Sequence, residues 1–144
     1  MALYDHKQSV LVLNGYEITA FTDAADALSI TESVDAGAYT IGTNGKGVFV
    51  TSGNESGTLT IKLLQHSADN QYLSALRNQQ RTAIKSFTPI EMYFKDTLNG
   101  DESVGQRGFF TSPVPLTRGN AHNDTTFVIA FEKLRTKLAA GVLN

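Results

Sequence analysis

Between Gly57 and Leu64 the residues alternate: Leu59, Ile61 and Leu63 fall on one side, Thr58, Thr60 and Lys62 on the other. A period of two with β-branched residues predicts a half-buried strand of roughly 25 Å. Such a strand needs partners along its edges and cover for its apolar face. The following residues offer that cover. Ser67 is placed to cap a helix and Asp69 adds negative charge to its first turn. Tyr72, Leu73 and Leu76 then recur at helical spacing, while Asn70, Ser74, Arg77 and Gln80 lie mostly elsewhere on the wheel. Leu59, Ile61, Leu73, Leu76 and Phe127 are therefore expected to meet where helix packs on sheet.

The rest of the chain supplies the partners. Ser9–Leu13 is a short apolar strand, Asn14-Gly15 is a strong two-residue hairpin signal, and Tyr16–Ala20 reads as the returning strand. Ala27–Glu32 and Ile90–Phe94 alternate as strands, with Pro89 fitting only at a strand start or edge. Residues 34–47 are a long, polar, glycine-bearing stretch in which Tyr39–Ile41 forms a brief strand and Asn44-Gly45 turns the chain back toward Val48–Val50. Residues 96–107 read as a second long polar loop, and Pro113 and Pro115 make Phe109–Leu116 an edge strand or extended arm. Thr125–Phe131 is the last clear strand. From Glu132 to Leu143 helix and strand are equally readable, because Leu134 and Leu138 fit one helical face. The sum is a mainly β fold of roughly eight strands, a sandwich or barrel with one packed α-helix. At 144 residues it reads as one domain over 1–144, able to bury about two-thirds of its unfolded surface.

Composition narrows function mainly by exclusion. The chain has no cysteine, which removes disulfides, cysteine nucleophiles and zinc–thiolate sites. Fourteen acidic and twelve basic residues give a net charge of −2, against the basic face usual in strong nucleic-acid binding. The opening MALYDHKQS has neither a basic nor an apolar leader segment, and no apolar run approaches a membrane span, so cytosolic synthesis and no membrane partner are expected.

No stretch carries recognisable chemistry. Around Gly42–Gly47 a phosphate loop would need Ser or Thr after Lys46 and a glycine where Thr40 stands; Gly47 follows instead, so a hairpin tip is the better reading. His6, His66 and His122 lack metal-ligand spacing, and Asp23/Asp26 lack the oxygen alternation of a calcium loop. Ser52 and Ser56 sit in no nucleophile elbow. Arg77, Arg81 and Lys85 form a weak basic stripe suited to a neighbouring subunit's acids. No catalytic, metal or cofactor residue is expected, nor any cofactor.

One resemblance adds a direction. Ser56-Gly57-Thr58, Leu63-Leu64-Gln65, Ser67, Asn70 and Leu73-Ser74-Ala75-Leu76 form a pattern similar to the central signature of the tail tube proteins of contractile-tailed phages. Leu13–Ile18 and Leu28-Ser29-Ile30 resemble the same family's opening. The resemblance implies a non-enzymatic virion protein whose copies close into six-membered rings, stacked into a tube within a contractile sheath. It implies partners in sheath, baseplate and tail-terminator proteins, assembly in the host cytoplasm, and phage DNA passing through without specific binding. Tyr39, Ile41, Asn44 and Lys46 are the expected inter-ring contact, since a solvated loop has little use for Tyr39 and Ile41. Asp96, Asp101, Glu102 and Arg107 are the second candidate interface. The alternatives are the tube protein of a type VI-like contractile injection system and a monomeric ligand-binding β-sandwich. The absence of tryptophan counts against the latter.

Overall fold

In a computed structural model that describes residues 3–141, the chain is mainly β with one α-helix. The order is β1 (Ser9–Leu13), β2 (Tyr16–Ile18), β3 (Leu28–Glu32), β4 (Gly37–Ile41), β5 (Gly47–Thr51), β6 (Gly57–Leu63), α1 (Ala68–Thr82), β7 (Ile90–Asp96), β8 (Glu102–Phe110) and β9 (Thr125–Lys137). Seven strands form one antiparallel sheet in the order β2-β1-β7-β8-β9-β6-β3, and β4-β5 is a separate two-stranded hairpin. The sheet curls into a half-barrel. Beyond β2 the chain crosses to β6, where Leu64 donates to the Ala20 carbonyl and Thr22 to that of Lys62. That crossing draws the two edges together at one end and leaves the other open.

Local chemistry explains the strands. Asn14 and Gly15 take φ of 51° and 84°, the left-handed pair that joins β1 to β2 without splaying them. In β6 burial alternates through all seven residues, and Leu59, Ile61 and Leu63 are fully buried. They face Phe127 and Ile129 of β9, Leu11 and Leu13 of β1, Ile90 and Met92 of β7, and Leu73 of the helix in one core. Four of the five expected core residues are thus fully buried; Leu76 packs at the margin and is only partly covered.

β9 is the longest strand, paired with β6 from Thr125 to Phe131 and with β8 from Ile129 to Lys137. The tail after Glu132 is therefore strand through Lys137, because the free edge of β8 provides hydrogen bonds that a helix would forfeit; positions 142–143 of that expected tail lie outside the described residues. Buried parity changes between Gly105 and Gly108 in β8 and between Phe131 and Leu134 in β9. The change falls at Arg107, which adopts φ 58° and pairs with Glu132 at 2.8 Å. At this bend the Phe131 ring lies over both glycines: a Cβ on Gly108 would sit 2.5 Å from it, one on Gly105 2.9 Å.

The helix is pinned at both ends. Ser67 caps it by accepting from the Asn70 N–H. Asp69, 5% exposed, does more than complement the helix dipole. Its Oδ1 accepts from the Tyr16 hydroxyl at 2.9 Å, and its Oδ2 from the Thr19 and Ala20 N–H groups at 2.8 and 2.9 Å. Tyr72 stacks on Tyr16 with centroids 4.1 Å apart. At the other end Gln80 clamps the end of β8, donating to the Phe110 carbonyl and accepting from its N–H.

Candidate assembly surface

The β4–β5 hairpin belongs to neither the sheet nor the helix. Its base is fixed: Ser33 donates to the Ser56 carbonyl, Ser52 to that of Ala36, and Asn54 links the two with side-chain turns to Ser52 and Ser56. Leu134 of β9 donates to the Glu55 carbonyl, and Arg135 pairs with Glu55 at 2.8 Å. Above that base only the two strands hold each other. The tip closes through Gly42–Gly45, with Gly45 at φ 82° and the Lys46 N–H on Asn44 Oδ1.

Directly paired residues share a face. Tyr39 with Phe49 and Ile41 with Gly47 make one face; Ala38 with Val50 and Thr40 with Val48 make the other. Rings and branches lie across the glycines, Phe49 over Gly37 and Ile41 over Gly47, and the Tyr39 and Phe49 rings meet edge to face at 5.0 Å. Both faces are apolar and both are wet: Tyr39 is 70% exposed, Val48 66%, Ile41 60% and Phe49 51%. A lone two-stranded ribbon is marginal in water, and an apolar patch of this kind marks a surface awaiting a partner.

The sequence reading located Tyr39, Ile41, Asn44 and Lys46 here, and the structure brings all four onto this arm. It left Val48, Phe49 and Val50 as an ordinary strand, although they are three of the arm's five exposed large apolar residues. The reading of residues 96–107 as a long polar loop is corrected. Only a short turn separates β7 from β8, and Glu102 and Arg107 lie within β8. Asp96 is buried, accepting from the Leu98 and Asn99 N–H groups, and Asp101 accepts from the Ala139 N–H. These carboxylates fold the corner.

The remaining polar groups are structural in the same way. His122 Nε2 accepts from the Gln65 N–H beside His66, at the corner that turns β6 into the helix. Among the described residues no group of three histidine or acidic side chains could hold a metal, and no helix is long and apolar enough to cross a membrane. Titration is perturbed in three places. The Tyr16 phenol is raised above its ordinary value, first by its hydrogen bond to Asp69; burial raises Tyr72; and Lys62, bonded to Asp26 at 2.8 Å, lowers that exposed carboxyl.

Known proteins share this architecture. The cap that terminates the tube of the anti-feeding prophage superposes with a TM-score of 0.61 at 11% identity, covering 96% of this chain and 93% of that one. The sheath/tube terminator of PVC, an extracellular contractile injection system, gives 0.60 at 10% identity over 95% and 98% of the two chains. A chain of the sheath–tube complex of that system gives 0.55 at 10% identity over 91% and 88%. At such identities the likeness is one of fold. No curated protein matches the chain in sequence. The model of the bacteriophage PhiTE tail tube protein family, however, matches residues 10–139. With nearly the whole chain covered, the protein belongs to the bacteriophage PhiTE tail tube protein family.

Proposed function

We propose that six copies of this tail tube protein close into a ring, and that rings stack into the inner tube of a contractile tail through which DNA leaves the particle. The observation that carries this reading is the β4–β5 arm: five large apolar residues, Tyr39, Ile41, Val48, Phe49 and Val50, exposed on a ribbon that is rooted at its base and pairs with no strand of the main sheet. On this reading Tyr39, Ile41, Asn44 and Lys46 contact the adjacent ring. The half-barrel's edges support ring closure, since β3 and β2 each leave one side unpaired for a neighbour's strand. Closed by rotation and continued by stacking, such a contact is head-to-tail in both directions. Sheath, baseplate and terminator proteins are the further partners.

DNA would pass without retention. β9 carries Lys133, Arg135 and Lys137 on one face, but Arg135 is paired with Glu55 and Lys137 stands across the ladder from Glu102. Duplex DNA carries about one negative charge per 1.7 Å and binds by releasing counterions to unpaired cations. The Arg135–Glu55 pair and the acid facing Lys137 reduce the number of these on β9.

The test is electron microscopy of the purified protein beside a variant in which Tyr39–Lys46 is replaced by a two-residue turn. The parent should give rings and tubes. The variant should keep its far-UV circular dichroism and fail to extend tubes from a preformed end. Isolated small particles from the parent at every concentration would exclude the ring, and normal elongation by the variant would exclude the arm.

A further inference from the structure

A cavity of about 540 Å³ opens at the end of the half-barrel where β9 runs out. Its size lies within the usual range of binding clefts, about 300–1,000 Å³. Leu28 and Ile30 of the edge strand β3 and Phe94 of β7 make its apolar wall. Ser103 and Thr136, hydroxyl to hydroxyl at 3.1 Å, line it from β8 and β9. Asp23 and Asp101 stand among its lining residues, and no lysine or arginine does. Two further lining hydroxyls, Ser9 Oγ and Thr22 Oγ1, are buried without any hydrogen-bond partner. Thr22 is only 9% exposed. A buried hydroxyl that bonds to nothing is costly.

We infer that this cavity is the socket for the β4–β5 arm of a second copy of the chain. The inference rests on the arm being an assembly element, and adds what receives it. The two surfaces match in kind. The arm tip combines Ile41 and Val48 with Lys46, the arm's only basic residue. The cavity combines an apolar wall with carboxylates. An arm cannot enter its own subunit's socket and satisfy a repeating assembly; offered to the next copy, knob and socket make the heterologous contact from which rings and filaments grow.

The chain contains no cysteine, so a cross-link can be read without background. Thr43→Cys at the arm tip and Ala25→Cys at the socket are prepared separately, mixed, assembled and treated with a short bis-maleimide. A linked dimer is expected from the mixture and from neither variant alone. Its appearance in single rings assigns the contact to ring neighbours, and its confinement to tubes assigns it to stacked rings; both seat the arm in the socket. Charge exchange gives a second reading: Lys46→Glu and Asp23→Lys should each slow tube growth about tenfold or more, and together restore it. Normal tubes without the link, or growth that Asp23→Lys neither slows nor rescues, overturn the socket. If deletion of Tyr39–Lys46 still blocks growth in that case, the arm stands and its receptor lies elsewhere; if deletion has no effect, the arm itself is overturned.

Discussion

Asp69 allows the attachment of helix to sheet to be tested at a single side chain. Three donors converge on its carboxylate, from a phenol and two consecutive backbone N–H groups some fifty residues earlier in the chain. Asp69→Ala removes all three bonds and leaves the Thr19 and Ala20 N–H groups facing a gap. A hydrogen bond to a charged group nets about 1.5–3 kcal/mol, and bonds sharing one acceptor do not add. The expected loss is therefore between one and two bonds' worth, about 1.5–6 kcal/mol. Asp69→Asn keeps the shape: its amide oxygen can serve both backbone donors, and its NH₂ faces a Tyr16 hydroxyl free to turn and accept. Its loss should be about 1–2 kcal/mol. Urea unfolding of the dispersed subunit, followed by circular dichroism with the slope checked for constancy, measures both. A loss below about 1 kcal/mol for Asp69→Ala, or equal losses for the two variants, would refute the argument.

Three further outcomes follow from the packing. Leu73→Ala should cost about 2–5 kcal/mol and Leu76→Ala clearly less, since Leu73 is fully buried and Leu76 is not, a difference that urea midpoints resolve. Gly108→Val should destabilise by about 1–3 kcal/mol through collision with Phe131, and the drop in melting temperature should shrink in Gly108→Val/Phe131→Leu. Tyr16 holds its proton above the ordinary tyrosine value, so its contribution is complete below about pH 10 and fades as pH rises through the folded value; Tyr16→Phe should flatten the alkaline fall in melting temperature.

The legible parts of the fold are those whose signal is local. The alternation of Gly57–Leu63 reports burial on one face of one strand, and Asn14-Gly15 demands left-handed φ within the turn itself. β8 was not legible, because Gly105 and Gly108 look like loop residues until Phe131, on the neighbouring strand, needs the room. The tail was ambiguous because the spacing of Leu134 and Leu138 suits a helix, and only the edge of β8 decides for strand. Asp69 and Gln80 read as ordinary polar helix residues, since their partners lie 49 to 53 and 30 residues away. Of the candidate surface, Tyr39 and Ile41 stood out as apolar residues in a polar stretch. The cavity did not, because its walls come from both ends of the chain.

The way the arm is rooted has a mechanical consequence. Its base is tied to β9 by the Leu134–Glu55 backbone bond and the Arg135–Glu55 ion pair, and beyond that point β9 is laced to β8. A pull on the arm along β9 would load that ladder in shear, so that many bonds share the force and must yield together. A pull across the strand would peel them one at a time. Any contact made through such an arm would therefore withstand a pull along β9 far better than one across it.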